Sequence, residues 1–400
     1  MAELIDRHHG VPAPSALDRV DVTRLHRWLA AHRAELVADL VAVAERETPS
    51  DDTALLAEGL AHLEEWATRR LGPPARRALH EASAHGSALT VEHEGTGPPL
   101  TLLAHYDTVW SAGTLQDRPV RVEGDRVSGP GVFDMKAGLV QAVWAVRALR
   151  AAGVAHPPLR LLLTGDEEIG SPFSRPIIEA ACADAAAVLV FEASAAGGAV
   201  KTARKGVGLF DVHVRGVEAH AGLDPTAGAS AIDEIARVVT TLHAATDHAE
   251  GTTVNVGVLR GGTRPNVVAG TAEASIDVRV ASVAAQERIE ALLAGLRAHD
   301  PRAELRVTGG WNRPVMERSE GIAAVYALAR AAAARLGVDL PEAAVGGASD
   351  GNFAAALGRP VLDGLGAVGG GAHARHEHVS VDGMVERAAV AAAVVAAFAG

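Results

Sequence analysis

The chain has 400 residues, a length that suits two or three domains. Hydrophobic residues make up 48%, charged residues 22% and aromatic residues 3%, which excludes global disorder and requires a core of Ala, Val and Leu rather than rings. A net charge of −12 argues against nucleic-acid and anionic-membrane partners, and the single cysteine, Cys182, excludes an internal disulfide and a Cys-based zinc site.

The opening residues MAELIDRHHGVPAP hold no apolar run of the length a secretory signal needs, so a cytoplasmic location is expected. Helical patterns follow, from Val22 to Glu47 and from Asp52 to Arg70. From about residue 87 short apolar runs alternate with helical ones. PLTLLAH, LRLLLTG and AAVLVFE are near-continuous apolar runs, as expected of strands buried on both faces of a parallel sheet. MKAGLVQAVWAVRALRAAG and SRPIIEAACADA, between them, read as helices, so the alternation predicts an α/β domain with a mostly parallel sheet.

Near Gly206 the pattern changes. GLFDVHVRGV, TTVNVGVLRGG, GTAEASIDVRV and AELRVTG read as strands. An amphipathic helix bearing Ile232, Ile235, Val239 and Leu242 follows the first strand. A second helix, capped by Ser282 and bearing Ile289, Leu292, Leu293 and Leu296, follows the third. The order β-α-β-β-α-β is ferredoxin-like. The expected organisation is therefore a domain of residues 1–207 and 313–400 with an insert at 208–312. After Pro314 the first pattern resumes, with a helix over Ala323–Leu336, the segment AAVGGASDGN and a closing helix from Asp382. The apolar run AAVAAAVVAAFA in that closing helix is too short to span a bilayer and is expected to be buried.

In open α/β sheets, sites form beyond the carboxyl ends of the strands. Three of the predicted strands end in potential metal ligands: His105 and Asp107; Asp166, Glu167 and Glu168; and Glu192. Asp134 follows a Gly-rich turn, and GGGAHARHEHV offers His373, His376 and His378. Taken singly, Asp134 also reads as a helix cap and the Asp-Glu-Glu run as a solvated loop. Glu192, directly after AVLVF, is harder to explain without a partner, because an unpaired buried charge is costly. Histidines and carboxylates without Cys suit zinc, cobalt or manganese.

The ordered set AHYDTV, GPGVFDMKAG, TGDEEIGS, VFEAS, EAHAG and GAHARHEHV resembles the co-catalytic dizinc peptidase and amidohydrolase family. That family includes glutamate carboxypeptidase, acetylornithine deacetylase, succinyl-diaminopimelate desuccinylase and aminoacylase-1. The resemblance runs from about residue 95 to the end, and DEEIGSPFSR is similar to the glutamate carboxypeptidase branch. It implies a zinc-peptidase-like catalytic domain carrying a lid and dimerisation domain. Two divalent ions are implied, zinc first, with cobalt or manganese as alternatives. His105 and Glu192 would hold one ion, Glu168 and His373 the other, and Asp134 would bridge them. Asp107 would orient His105, and Glu167 would be the general base. His220 would stabilise the oxyanion from the partner subunit of a homodimer, although beside Ala221 and Gly222 it also reads as a turn residue. Asn266 and Arg279 would hold a substrate carboxylate, with a plain strand-surface charge as the other reading of Arg279. The implied reaction is cleavage of an amide in a small peptide or N-acyl amino acid. Carboxypeptidase action and N-acyl amino acid deacylation both remain open, and a metal-free binding relative is the alternative from another class. Ala104, Tyr106, His376 and His378 depart from the family's usual residues, and His376 and His378 carry no assigned role.

Overall fold

A computed structural model describes residues 10–399. Most of the N-terminal segment read as lacking a secretory signal therefore lies outside the described residues. The chain divides into two compact units. One comprises the chain through Ala203, Arg318–Val345 and the segment from Ser349 onward. The other comprises Arg204–Glu317 with Gly346–Ala348, against the 208–312 read from the pattern.

The larger unit opens with helices. The single pattern expected over Val22–Glu47 is two helices, α1 (Val22–Ala31) and α2 (Arg33–Ala44), parted at His32. His32 leaves helical geometry (φ −104°, ψ 17°), and its ring Nδ1 donates to the carbonyl of Trp28 at 2.8 Å. Helix α3 (Thr53–Leu71) starts at Asp52, whose carboxylate accepts the amides of Ala54 and Leu55.

The central sheet contains β1 (Arg76–His80), β2 (Gly86–His93), β3 (Leu100–His105), β4 (Leu159–Gly165), β5 (Ala187–Val190) and a two-residue strand, Val361–Leu362. Their order is β1-β2-β4-β3-β5-Val361. The pairs β4–β3, β3–β5 and β5–Val361 are parallel, and β1 and β2 run antiparallel at one edge. Every residue of β3 and β5 is buried, as the unbroken apolar runs require of strands covered on both faces. Helix α4 (Ala137–Ala152) joins β3 to β4 and ends on the left-handed Gly153; α5 (Arg175–Cys182) joins β4 to β5. The closing helix, Val381–Ala397, is buried along nearly its whole length and packs on α4 and α1. Among the described residues no helix is long and apolar enough to cross a membrane.

The smaller unit has strands β6 (Gly206–Arg215), β7 (Thr253–Gly261), β8 (Thr271–Val280) and β9 (Glu304–Arg313), with helices α6 (Ala231–His243) and α7 (Val283–Gly295). Its sheet order β7-β8-β6-β9, antiparallel throughout, is the ferredoxin-like arrangement. Ser230 and Ser282 cap the two helices through the amides of Asp233 and Ala285. The buried face of α6 is Ile235, Val238 and Leu242. Ile232, expected on that face, is 44% exposed and Val239 only half-buried, because the helix is rotated toward the i, i+3, i+7 stripe.

Candidate metal centre

Sheet order assembles the site. Strand β3 lies between β4 and β5, and parallel neighbours sit about 4.8 Å apart, so residues just past their ends are brought together. His105 ends β3, Glu167 and Glu168 form the turn after β4, and Glu192 follows β5 by two residues. Asp134 lies in the turn ahead of α4. It is not the helix cap: α4 starts after Lys136 without a side-chain cap, and the Asp134 carboxylate faces the two imidazoles instead.

Nε2 of His105 is 3.2 Å from Asp134 Oδ1 and 3.5 Å from Glu192 Oε1. Nε2 of His373 is 3.3 Å from Asp134 Oδ2 and 3.2 Å from Glu168 Oε2. The two oxygens of Asp134 are thus divided between the two imidazoles. Ligand atoms of His105, Asp134 and Glu168 lie within 4.8 Å of one another, and so do those of His105, Glu167 and Glu192. Of the three C-terminal histidines, His373 is the one at the carboxylates. It takes a left-handed backbone (φ 58°), while His378 Nδ1 donates to the carbonyl of His376.

Asp107 is divided between two tasks. The ring Nδ1–H of His105 donates to its main-chain oxygen at 3.0 Å, closer than its carboxylate at 3.4 Å. The buried carboxylate accepts the amides of Glu167 and Glu168, each at 3.2 Å, and the hydroxyl of Ser50 at 2.8 Å. It therefore both directs His105 and pins the Glu167–Glu168 turn. Asp166 supports the same loop from below by accepting the amides of Phe173 and Ser174. Asp350, in the GGASDGN segment, accepts hydroxyls from Thr164 and Ser171.

The electrostatics call for cations. Burial works against a charge on His105, but hydrogen bonds with Asp107 and Asp134 and the charge of Glu192 outweigh it and hold the ring well above its ordinary range. Asp134 and Glu168 raise His373 to about 10. Burial opposes ionisation of Asp134, yet the two imidazoles hold its carboxyl far below the usual range. Burial pushes Glu168 up, and its Oε1 is enclosed with no hydrogen bond. The same carboxylates that favour protonated imidazoles would favour divalent ions held by His105, Asp134, Glu168, Glu192 and His373, and the enclosed Glu168 Oε1 fits a cationic partner.

In the smaller unit, His220 and Asn266 are neighbours: Ala221 N–H donates to the Asn266 carbonyl, and His220 bridges to Val267. His220 Nδ1 accepts the amides of Gly222 and Leu223, each at 3.1 Å, so its proton resides on Nε2. Arg279 is elsewhere. It lies near the far end of β8, opposite Val207 and Thr253, and its guanidinium grips Asp277 through two bonds of 2.8 Å. The loop bearing Asn266 adjoins Thr271 at the other end of β8, about 25 Å away at strand spacing.

Sequence reasoning missed Ser50 and Glu377. Ser50 is 57 positions from Asp107, with no local signal to connect them. Glu377, between two histidines, reads as one more surface charge, but it is 1% exposed.

Paired imidazoles and clustered carboxylates beyond the ends of a parallel sheet define a metal-dependent hydrolase of the α/β class. Residues 101–397 match peptidase family M20/M25/M40, and the chain belongs to that family. It is 30% identical over 355 residues to carboxypeptidase G2 of Pseudomonas sp. (strain RS-16), covering 85% of this chain and 84% of that protein. It is 32% identical over 244 residues to acetylornithine deacetylase of Myxococcus xanthus, covering 57% of this chain and 63% of that one. Its fold is similar to aminopeptidase PepT of Bacillus cereus, with a TM-score of 0.72 at 20% identity over 92% of this chain and 99% of that structure's chain.

Proposed function

We propose that the protein is a dinuclear zinc hydrolase that cleaves an amide bond in a small substrate bearing a free carboxylate, in the manner of a carboxypeptidase. The observation that carries this reading is the division of Asp134 between His105 and His373, each with its own further carboxylate, Glu192 and Glu168. Two divalent cations would be set against three carboxylates, which makes a partly buried centre tolerable. When bound, such a pair polarises a carbonyl and acidifies a water molecule.

The chain's own residues supply the rest. Glu167, whose main chain is held by Asp107, takes a proton from the attacking water and returns it to the leaving nitrogen. His220 offers an Nε2–H to the developing oxyanion. Arg279 and Asn266 receive the substrate's carboxylate. Because these two lie at opposite ends of one β8 strand, a single lid is too long for both to reach one carboxylate. This supports a homodimer in which His220 and Asn266 come from one chain and Arg279 from the other. The exposed edge strand β7 offers a surface for such pairing. The single, buried Cys182 suits a reducing cytoplasm.

Likeness to carboxypeptidase G2 over most of both chains favours peptide substrates. The shorter match to acetylornithine deacetylase supports N-acyl amino acids as the second reading. The zinc-loaded protein should be assayed on dipeptides ending in Glu, Asp or Ala and on a set of N-acyl amino acids. Glu167→Gln should keep its metal and lose at least about 100-fold in kcat, the contribution of a general base. Fewer than about one metal per chain after zinc reconstitution would remove the dinuclear reading. Hydrolysis of neither class would remove the substrate assignment.

A further inference from the structure

Glu377 lies four residues past His373, at the entry to the strand His378–Ser380. That strand pairs with Arg126–Ser128, which leads into the turn carrying Asp134, and the pairing lays Glu377 alongside the turn. Its carboxylate collects four N–H groups. Oε2 accepts the Trp110 indole and the Gly131 amide, both at 2.9 Å. Oε1 accepts the amides of Phe133 at 2.9 Å and Asp134 at 3.1 Å. Its main-chain N–H donates to the Ala374 carbonyl, so the same residue also shapes the loop of His373.

The turn has little freedom on its other sides. Gly131 holds a left-handed conformation (φ 70°), and a Cβ there would come within 2.6 Å of Thr108 Cγ2. Lys136, at the far end of the turn, donates its buried Nζ to the carbonyl of Arg46. A carboxylate shared by two imidazoles on opposite sides tolerates only small displacement of its backbone, and the Asp134 amide is bonded directly to Glu377.

We propose that Glu377 is a positioning residue of the metal centre: by gathering the amides of Gly131, Phe133 and Asp134 it fixes the turn so that Asp134 serves both metal positions, and by the same means it aligns the loop of His373. This rests on the dinuclear reading above. The Glu377 carboxylate bonds to main-chain amides and an indole, and it acts through Asp134, which would be held between the two ions.

The test is Glu377→Gln in the full-length protein. The amide keeps one acceptor for Phe133 and Asp134 but turns an NH2 toward the N–H groups of Gly131 and Trp110. Cobalt(II) titration against a competing chelator should show both metal positions weakened together by about 10-fold or more, with an altered visible spectrum. In zinc-loaded protein kcat should fall while KM changes little. Ser380→Ala is the comparator, since Ser380 caps the closing helix beside the same hairpin without touching the turn. It should lower the melting temperature and leave the cobalt affinity and spectrum as in the wild type. If Glu377→Gln fails to fold, Trp110→Phe removes one of the four donors and should weaken cobalt binding by about threefold. Wild-type affinity and spectrum in the folded Glu377 variant, or in Trp110→Phe when it alone folds, would overturn the proposal. So would an equal loss in Ser380→Ala. Failure of the wild-type chain itself to take up two metals would instead overturn the dinuclear reading.

Discussion

Surrounding carboxylates favour the protonated form of His373 and of His105, and a metal ion must displace those protons to bind. Binding near pH 7.5 should release at least about one proton per chain, that of His373, and more as His105 and an acidified water give up theirs. Calorimetry in two buffers of different ionisation enthalpy measures this directly, and no release would mean that the imidazoles are not the ligands. The sign for stability follows from His373. Its value in the fold, about 10, lies above the ordinary 6.5. Its pairing therefore stabilises the metal-free fold fully below 6.5, and the contribution is lost as pH rises through 10. The melting temperature of chelator-treated protein should fall across that interval. Zinc-loaded protein, whose imidazoles are already deprotonated, should not show that decline.

Main chains approach closely where the first turn of α4 meets the residue that follows β5. A Cβ on Gly138, in the first turn of α4, would lie 1.8 Å from the Phe191 carbonyl oxygen, one residue before Glu192. Main chain cannot yield as a flexible side chain can. Helix propensity alone would favour Gly138→Ala by about 1 kcal/mol. The clash should reverse that sign and cost about 1–3 kcal/mol, and by displacing Glu192 it should weaken metal binding as well. Denaturant unfolding decides between the two effects, since a gain in stability would mean that helix and strand are not so closely packed. Polar side chains also govern element boundaries. His32, bonded to the Trp28 carbonyl, marks the break between α1 and α2, which hydrophobic periodicity reads straight through.

At the scale of the whole molecule, the separation of Arg279 from His220 and Asn266 along β8 motivates a complementation test. His220→Ala and Glu167→Gln chains should each be inactive alone. If the chains pair as proposed and are mixed in equal amounts, half of the dimers would be hybrids, each with one complete site, so about a quarter of wild-type activity should return if sites act independently. Hybrid dimers demonstrated by mass spectrometry without recovered activity would confine His220 to its own chain or remove it from the reaction. A chain that stays monomeric in solution would end the two-chain site outright.

The sequence by itself determined the buried parallel strands and the His and carboxylate side chains at their ends, because both are local: an apolar run of strand length, then a charge at its edge. It also determined the order of the inserted unit, through alternating strand and helix periods. Only the tertiary structure decided which atoms meet. Sheet order places β3 between β4 and β5 and so joins His105, Glu168 and Glu192, which lie 24 to 87 positions apart. Strand pairing buries Glu377 beneath the Asp134 turn, and a distant serine shares the Asp107 carboxylate. The rotation that leaves Ile232 on the surface was equally invisible, because a helix bearing Ile232, Ile235, Val238, Val239 and Leu242 can present more than one stripe to a sheet until the sheet is there to choose.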